Sequence, residues 1–159
     1  MRRGSTRFHP ALSTSAPTDH RRGGHIGQPL KVMGEAAGFD ILIVDVEPGR
    51  ADIPGLKSVQ LTADSFVVLI TTDHISDEAA LRIALHSPVS YIGMIGSRAK
   101  CQTILGHLRA DGINEKALTR VYAPIGLDLG GPRPEEIAVS ILAEIIAVRR
   151  GGSRNVRSR

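Results

Sequence analysis

Apolar residues follow two periods along this chain, and the two alternate. Gly24 to Ala37 carries Ile26, Leu30, Met33 and Ala37 at spacings of four, three and four, which predicts a helix with Gly38 as its cap. Phe39 to Val46 (FDILIVDV) is a mainly apolar run that suits a strand of a parallel sheet buried on both faces. Lys57 to Leu61 predicts a weak edge strand, and Ser65 to Thr71 (SFVVLIT) a strong one. A helix is expected over Asp77 to His86, a strand over Tyr91 to Ile95, and a helix capped by Ser97 that runs to Ala110 and breaks at Asp111-Gly112. Asn114 starts one more turn of helix, and Arg120 to Ala123 is a short strand. Pro134 opens the last helix, where Glu135 and Glu136 complement its positive end. Ile137, Ile141, Ile145 and Val148 form the apolar stripe of that helix.

Strands alternate with helices throughout, and no internal repeat interrupts them. The pattern predicts an α/β fold: a Rossmann-like three-layer domain with a mostly parallel sheet. Residues 1–22 show no sustained apolar periodicity, and the character changes abruptly at Gly23. The division expected is a disordered segment foreign to the fold over 1–22, the domain over 23–150, and a basic disordered tail over 151–159. A mis-set start or a frameshift near Arg22 would produce such a switch. On this reading the first Rossmann strand is missing or degenerate. Its loss would expose the apolar edges of both neighbours and favour a homodimer or other self-association.

Composition narrows the function. The net charge is +4, yet residues 1–22 contribute +4 and residues 149–159 contribute +5, which leaves residues 23–148 at −5. The folded part is acidic, and with two Tyr, three Phe and no Trp it lacks the aromatic platforms of a nucleic-acid binder. No apolar run approaches the roughly 20 residues that span a membrane, and no secretory signal is visible. A lone Cys101 excludes an internal disulfide and fits the cytoplasm.

Parallel α/β sheets bind ligands outside the carboxyl ends of their strands, so the residues that follow each strand are the candidates. Gly24-His25-Ile26-Gly27 supplies the second and third glycines of a phosphate-binding G-x-G-x-x-G loop, with Arg22 in place of the first; a plain glycine-containing helix start fits equally. Asp45 lies 18 residues after Gly27, where dinucleotide folds hold a ribose hydroxyl, or it is a solvent-facing carboxylate. Thr72, Asp73 and His74 follow the strongest strand and suit either proton transfer or a turn with a helix cap. Gly96, Ser97 and Arg98 place a hydroxyl and a guanidinium at a helix N-terminus, which is an anion site or an ordinary cap beside a surface arginine. Asp128, in the last loop, closes over the same cleft or shapes a tight turn. Cys101 falls on the apolar face of its helix with Ile104, Leu105 and Leu108, which favours an inert packed thiol over sulfur transfer. Neither a catalytic pair nor a metal-ligand set stands out.

Two segments carry a family resemblance. Tyr91-Ile92-Gly93-Met94-Ile95-Gly96-Ser97-Arg98 resembles the YIGxIGSR segment of the XdhC/CoxI family, the xanthine dehydrogenase accessory factors. Pro124-Ile125-Gly126-Leu127-Asp128-Leu129-Gly130, with the Pro134–Ile145 run, resembles the C-terminal signature of that family, and the Gly24–Gly27 and Thr72–His74 pieces fall in the expected order. The resemblance implies a Rossmann domain that normally follows a separate N-terminal domain, which is absent from this sequence. It implies a non-catalytic role in binding the molybdenum cofactor (molybdopterin), aiding its sulfurated form, with a cysteine desulfurase as a further partner, and delivering it to a molybdenum hydroxylase apoenzyme. The cleft residues expected are Gly24, His25, Gly27, Asp45, Thr72, Asp73, Gly96, Ser97, Arg98 and Asp128. The rival readings are an NAD(P)-dependent oxidoreductase-like domain and an inactive truncated remnant.

Overall fold

The computed structural model of the protein describes residues 7–11, 24–42, 44–45, 53–54, 56, 59–70, 74–130 and 133–152. In chain order the elements are β1 (Arg7–Ala11), α1 (Gly24–Ala36), β2 (Asp40–Ile41), β3 (Val44–Asp45), β4 (Ile53–Pro54), β5 (Phe66–Leu69), α2 (His74–Leu85), β6 (Tyr91–Met94), α3 (Arg98–Ala110), α4 (Glu115–Leu118), β7 (Val121–Tyr122) and α5 (Pro134–Arg149). Every strand pairing among them is parallel. The sheet runs β4-β3-β1-β5-β6-β7, and β2 pairs with β1 on the same side as β3. With β2 and β3 taken as one interrupted strand, this is the 3-2-1-4-5-6 order of doubly wound dinucleotide-binding folds.

Alternation along the strands builds a core on each face of the sheet. Phe66, Val68, Ile70 and Tyr91 pack with Leu30 of α1 and with Ala138, Ile141 and Ile145 of α5. Val67, Leu69, Ile92 and Met94 pack with Leu81 and Ala84 of α2 and with Cys101, Ile104 and Leu108 of α3. Strands buried on both faces have no polar side, which is why their sequences read as continuous apolar runs. Truncating a core residue such as Ile141, fully buried on α5, would cost about 2–5 kcal/mol.

Local chemistry sets the helix ends. At the end of α1 the Gly38 N–H donates to the Glu35 carbonyl and the Phe39 N–H to the Gly34 carbonyl, both at 3.0 Å, with Gly38 at φ 82°. This pair of bonds is the Schellman closure that glycine permits. Ser97 and Asn114 cap α3 and α4 with their side chains, and Pro134 takes the first turn of α5. Arg82 bridges Glu78 on its own helix to Asp111 beyond the end of α3, so α2 and α3 are tied side by side. That Arg82 bond, with a second from His107, holds the Glu78 carboxyl below its ordinary range.

Two expectations are corrected. The first concerns residues 1–22: Arg7–Ala11 forms the central strand between β3 and β5, with His9, Pro10 and Ala11 in register with Val67, Val68 and Leu69. The first strand is degenerate and not missing. Pattern alone gives no strand there, because arginine and histidine break the apolar run and Pro10 has no N–H to donate. Self-association driven by an empty central position therefore loses its premise. The second concerns Lys57–Leu61. The edge strand is Ile53–Pro54, and Val59–Leu61 carries no strand pairing. An edge tolerates proline, since one side of the strand needs no ladder partner.

Deleting residues 1–11 is expected to abolish the cooperative thermal transition seen by circular dichroism, because β3 and β5 would then face a gap. A truncated chain that melts like the full-length one would show that the strand is dispensable.

Candidate functional site

A sheet of parallel strands sends every strand-to-helix turn out of the same edge, so the carboxyl ends of β1, β3, β5, β6 and β7 share one rim. The described part of that rim is stitched together by backbone bonds. The Ile95 N–H donates to the Leu69 carbonyl at 3.0 Å, and the Ile125 N–H donates to the Met94 carbonyl at 2.9 Å. The ladder thus joins the turn after β6 to the end of β5, and the turn after β7 to the end of β6.

At the turn after β6, Ser97 adopts an extended conformation and its Oγ accepts the Lys100 N–H at 3.1 Å. Its hydroxyl hydrogen remains available to an acceptor outside the helix. Ser97 and Arg98 are both exposed. The N–H groups of a first turn lack intrahelical acceptors, so this end of α3 offers backbone donors, a hydroxyl and a guanidinium together. Gly96 is closely neighboured: a Cβ there would lie 3.1 Å from Lys100 Cδ and 3.4 Å from Cys101 Sγ. Lys100 is drawn inward by an ion pair with Asp77, a fully buried residue of α2. The positive charge of Lys100 is therefore matched within the protein, and Arg98 is the outward-facing cation of this turn.

The turn after β7 lies flat against α5. Gly126 has φ 93°, and a Cβ on it would come within 2.6 Å of Ser140 Oγ. The Leu127 N–H donates to the Ser140 carbonyl at 3.3 Å. Asp128 Oδ1 accepts the Gly130 N–H at 3.3 Å, closing a tight turn. Asp128 also lines a cavity of about 210 Å³ with Ile125, Leu127, Glu136, Ile137 and Ser140. A second hollow, of about 400 Å³, lies between Leu129, Gly130, Glu135, Glu136 and Val139. Neither cavity reaches Gly96–Arg98 or His25.

Known proteins resemble this chain in sequence and in fold. The family profile described as the XdhC Rossmann domain matches residues 22–145, well over half of the chain. The chain belongs to the XdhC Rossmann domain family. Among curated relatives, the uncharacterized protein YqeB of Escherichia coli (strain K12) is 29% identical over 79% of this chain and 26% of its own length. A Bacillus subtilis (strain 168) protein, named as a probable xanthine dehydrogenase subunit, is 27% identical over 77% of this chain and 39% of its own length. The molybdenum cofactor insertion chaperone PaoD of E. coli (strain K12) is 28% identical over 77% of this chain and 36% of its own length. The chain thus spans well under half the length of these relatives. The crystal structure of a xanthine dehydrogenase from Bacillus halodurans matches the fold with a TM-score of 0.70 at 23% identity, over 96% of this chain and 45% of that one.

Within this XdhC domain the expected cleft residues fall as follows. Gly24 opens α1, His25 is exposed in its first turn, and Gly27 is buried. Asp45 ends β3 beside the central strand, since Val44 is in register with Ala11. Gly96, Ser97 and Arg98 lie at the turn after β6, and Asp128 lies at the turn after β7. Thr72 and Asp73 lie outside the described residues. His74 is the first residue of α2. Among the described residues, no three His, Cys, Asp or Glu side chains cluster as a metal site. No described helix is long and apolar enough to cross a membrane.

Two supports of the rim are not apparent from periodicity alone: the Asp77–Lys100 pair and Glu144. The visible signal for Glu144 is a carboxylate set three residues after Ile141 and four before Val148, on the apolar stripe of α5.

Cys101 is 1% exposed, and burial pushes its thiol above the ordinary range. Its reaction with a disulfide reagent at pH 8 is expected to be at least about 100-fold slower than that of free cysteine, rising to the free rate in denaturant. The folded thiol keeps its proton to higher pH than the unfolded one. Its contribution to stability is therefore complete below the ordinary thiol value and falls as pH rises past it. A fast-reacting Cys101 in the native protein would contradict the packing described here.

Proposed function

We propose that this domain holds the molybdenum cofactor, or a related nucleotide, at the carboxyl rim of its sheet and serves the maturation or insertion of that cofactor for a molybdenum hydroxylase of the xanthine dehydrogenase type. One observation carries the reading: the all-parallel 3-2-1-4-5-6 sheet has, on its rim, a capped helix start with an exposed hydroxyl and guanidinium. The names of two relatives, a molybdenum cofactor insertion chaperone and a probable xanthine dehydrogenase subunit, support the assignment.

The donor set fits the cofactor's chemistry. The α3 first-turn amides, Ser97 and Arg98 suit its phosphate. Asp128, facing a cavity beside the rim, suits a pterin N–H. Gly24 and Gly27 lie at the start of the helix that follows the central strand, where a phosphate meets backbone. When bound, the cofactor supplies the molybdenum centre that the apo-hydroxylase requires. This chain's residues bind it, orient it and release it. Cys101, buried on α3, is not exposed to relay sulfur to it.

Asp45 favours a second reading. It ends the strand beside β1, the position from which an acidic residue meets a nicotinamide dinucleotide's ribose. Tight NAD(P)H binding with turnover would decide for that reading.

Arg98→Ala is expected to weaken binding of molybdenum cofactor about tenfold, as loss of a charge-assisted bond should. Pterin fluorescence of the bound fraction reads the affinity. Unchanged affinity removes Arg98 from the site, and a wild-type chain that binds no cofactor overturns the proposal.

A further inference from the structure

Glu144 is a fully buried carboxylate in the middle of α5, between the core residues Ile141 and Ile145. Burying a carboxylate is costly unless hydrogen bonds replace its water. Here Oε1 accepts the Tyr91 hydroxyl at 2.7 Å and the Gly126 N–H at 3.2 Å. Tyr91 is the first residue of β6, and Gly126 lies in the turn that leads to Asp128. One oxygen therefore ties a strand start and the rim loop to α5. Stability alone gives a weak reason for such a residue, since an apolar group of similar volume often serves a core as well or better. What an apolar group cannot do is hold the Gly126 amide in a fixed direction.

The surroundings show how closely that amide is held. Gly126 lies so near Ser140 that no side chain fits between them. Ile125, the preceding residue, fills the space left by Gly93, whose Cβ would fall 2.1 Å from Ile125 Cδ1. Leu127, the next residue, bonds the Ser140 carbonyl. Glu144 supplies a side-chain acceptor to the Gly126 amide, and it does so from inside the core.

We propose that Glu144 is a positioning residue. It orients the Gly126 backbone and so sets Asp128 and the loop around it at the carboxyl rim, without touching the ligand itself. This rests on the cofactor-binding reading given above.

The test uses the full-length chain with Glu144→Gln and Glu144→Leu. Amide hydrogen exchange is read at Gly126 and Leu127 and compared with Val67–Leu69 and Ile92. Affinity is measured for molybdenum cofactor released from a molybdenum hydroxylase. Glu144→Leu is expected to speed exchange at Gly126 and Leu127 about tenfold, with the strand amides unchanged, and to weaken cofactor binding about tenfold, the loss expected for one hydrogen bond. Glu144→Gln keeps an acceptor oxygen in place and is expected to restore both to within about threefold. Unchanged loop exchange, unchanged affinity, or protection lost evenly across the sheet in a folded Glu144→Leu chain overturns the proposal. Should Glu144→Leu fail to fold, Gly126→Ala displaces the same amide from outside the core. Weakened binding with intact strand protection supports the proposal there, and wild-type affinity overturns it. A wild-type chain that binds no cofactor sinks the binding reading, while the exchange measurement still decides whether Glu144 holds the loop.

Discussion

Parallel pairing of β1 with the strands on either side is the constraint on which the rest of the molecule depends. β2 and β3 pair with one edge of β1 and β5 pairs with the other, so among the described residues its backbone joins the two halves of the sheet. Because all pairings share one direction, the turns that carry candidate chemistry all leave from one edge. Reverse a single strand, and its turn would point to the opposite end of the sheet. The two-faced core follows from the same constraint: α1 and α5 cover one side, α2 and α3 the other, and β5, β6 and β7 contribute alternate residues to both.

Much of this was legible in the residues. β5 and β6 are short apolar runs, and α3, α4 and α5 begin where Ser97, Asn114 and Pro134 place them. β1 was not legible, because a strand can be held by backbone pairing while its side chains, here Arg, Phe, His, Pro and Ala, show no strand pattern. The edge strand at Ile53–Pro54 escaped for a related reason: two residues are too few to show a period. Of the candidate site, Ser97 and Asp128 were readable because caps and tight turns are local chemistry. Glu144 and the Asp77–Lys100 pair were not, because their roles depend on partners far away in sequence.

The rim shows a division of labour. Residues that face outward, Ser97 and Arg98, are presented by a helix start whose geometry is fixed from behind. Asp77 draws Lys100 inward over Gly96, and Glu144 anchors Gly126 from within the core. Both anchors are acidic side chains and fully buried, a costly arrangement that gives the turns after β6 and β7 definite directions. On the proposed reading, a site that takes up a polar, anionic guest and later gives it up needs donors held in place before the guest arrives.

The most direct measurement of the central claim is a titration of the isotope-labelled chain with molybdenum cofactor, followed by backbone amide resonances. Saturable shifts confined to Gly24–Gly27, Gly96–Arg98 and Gly126–Asp128 are the expected result. Shifts centred at the amino ends of the strands, or none at cofactor concentrations that load a hydroxylase, would contradict it.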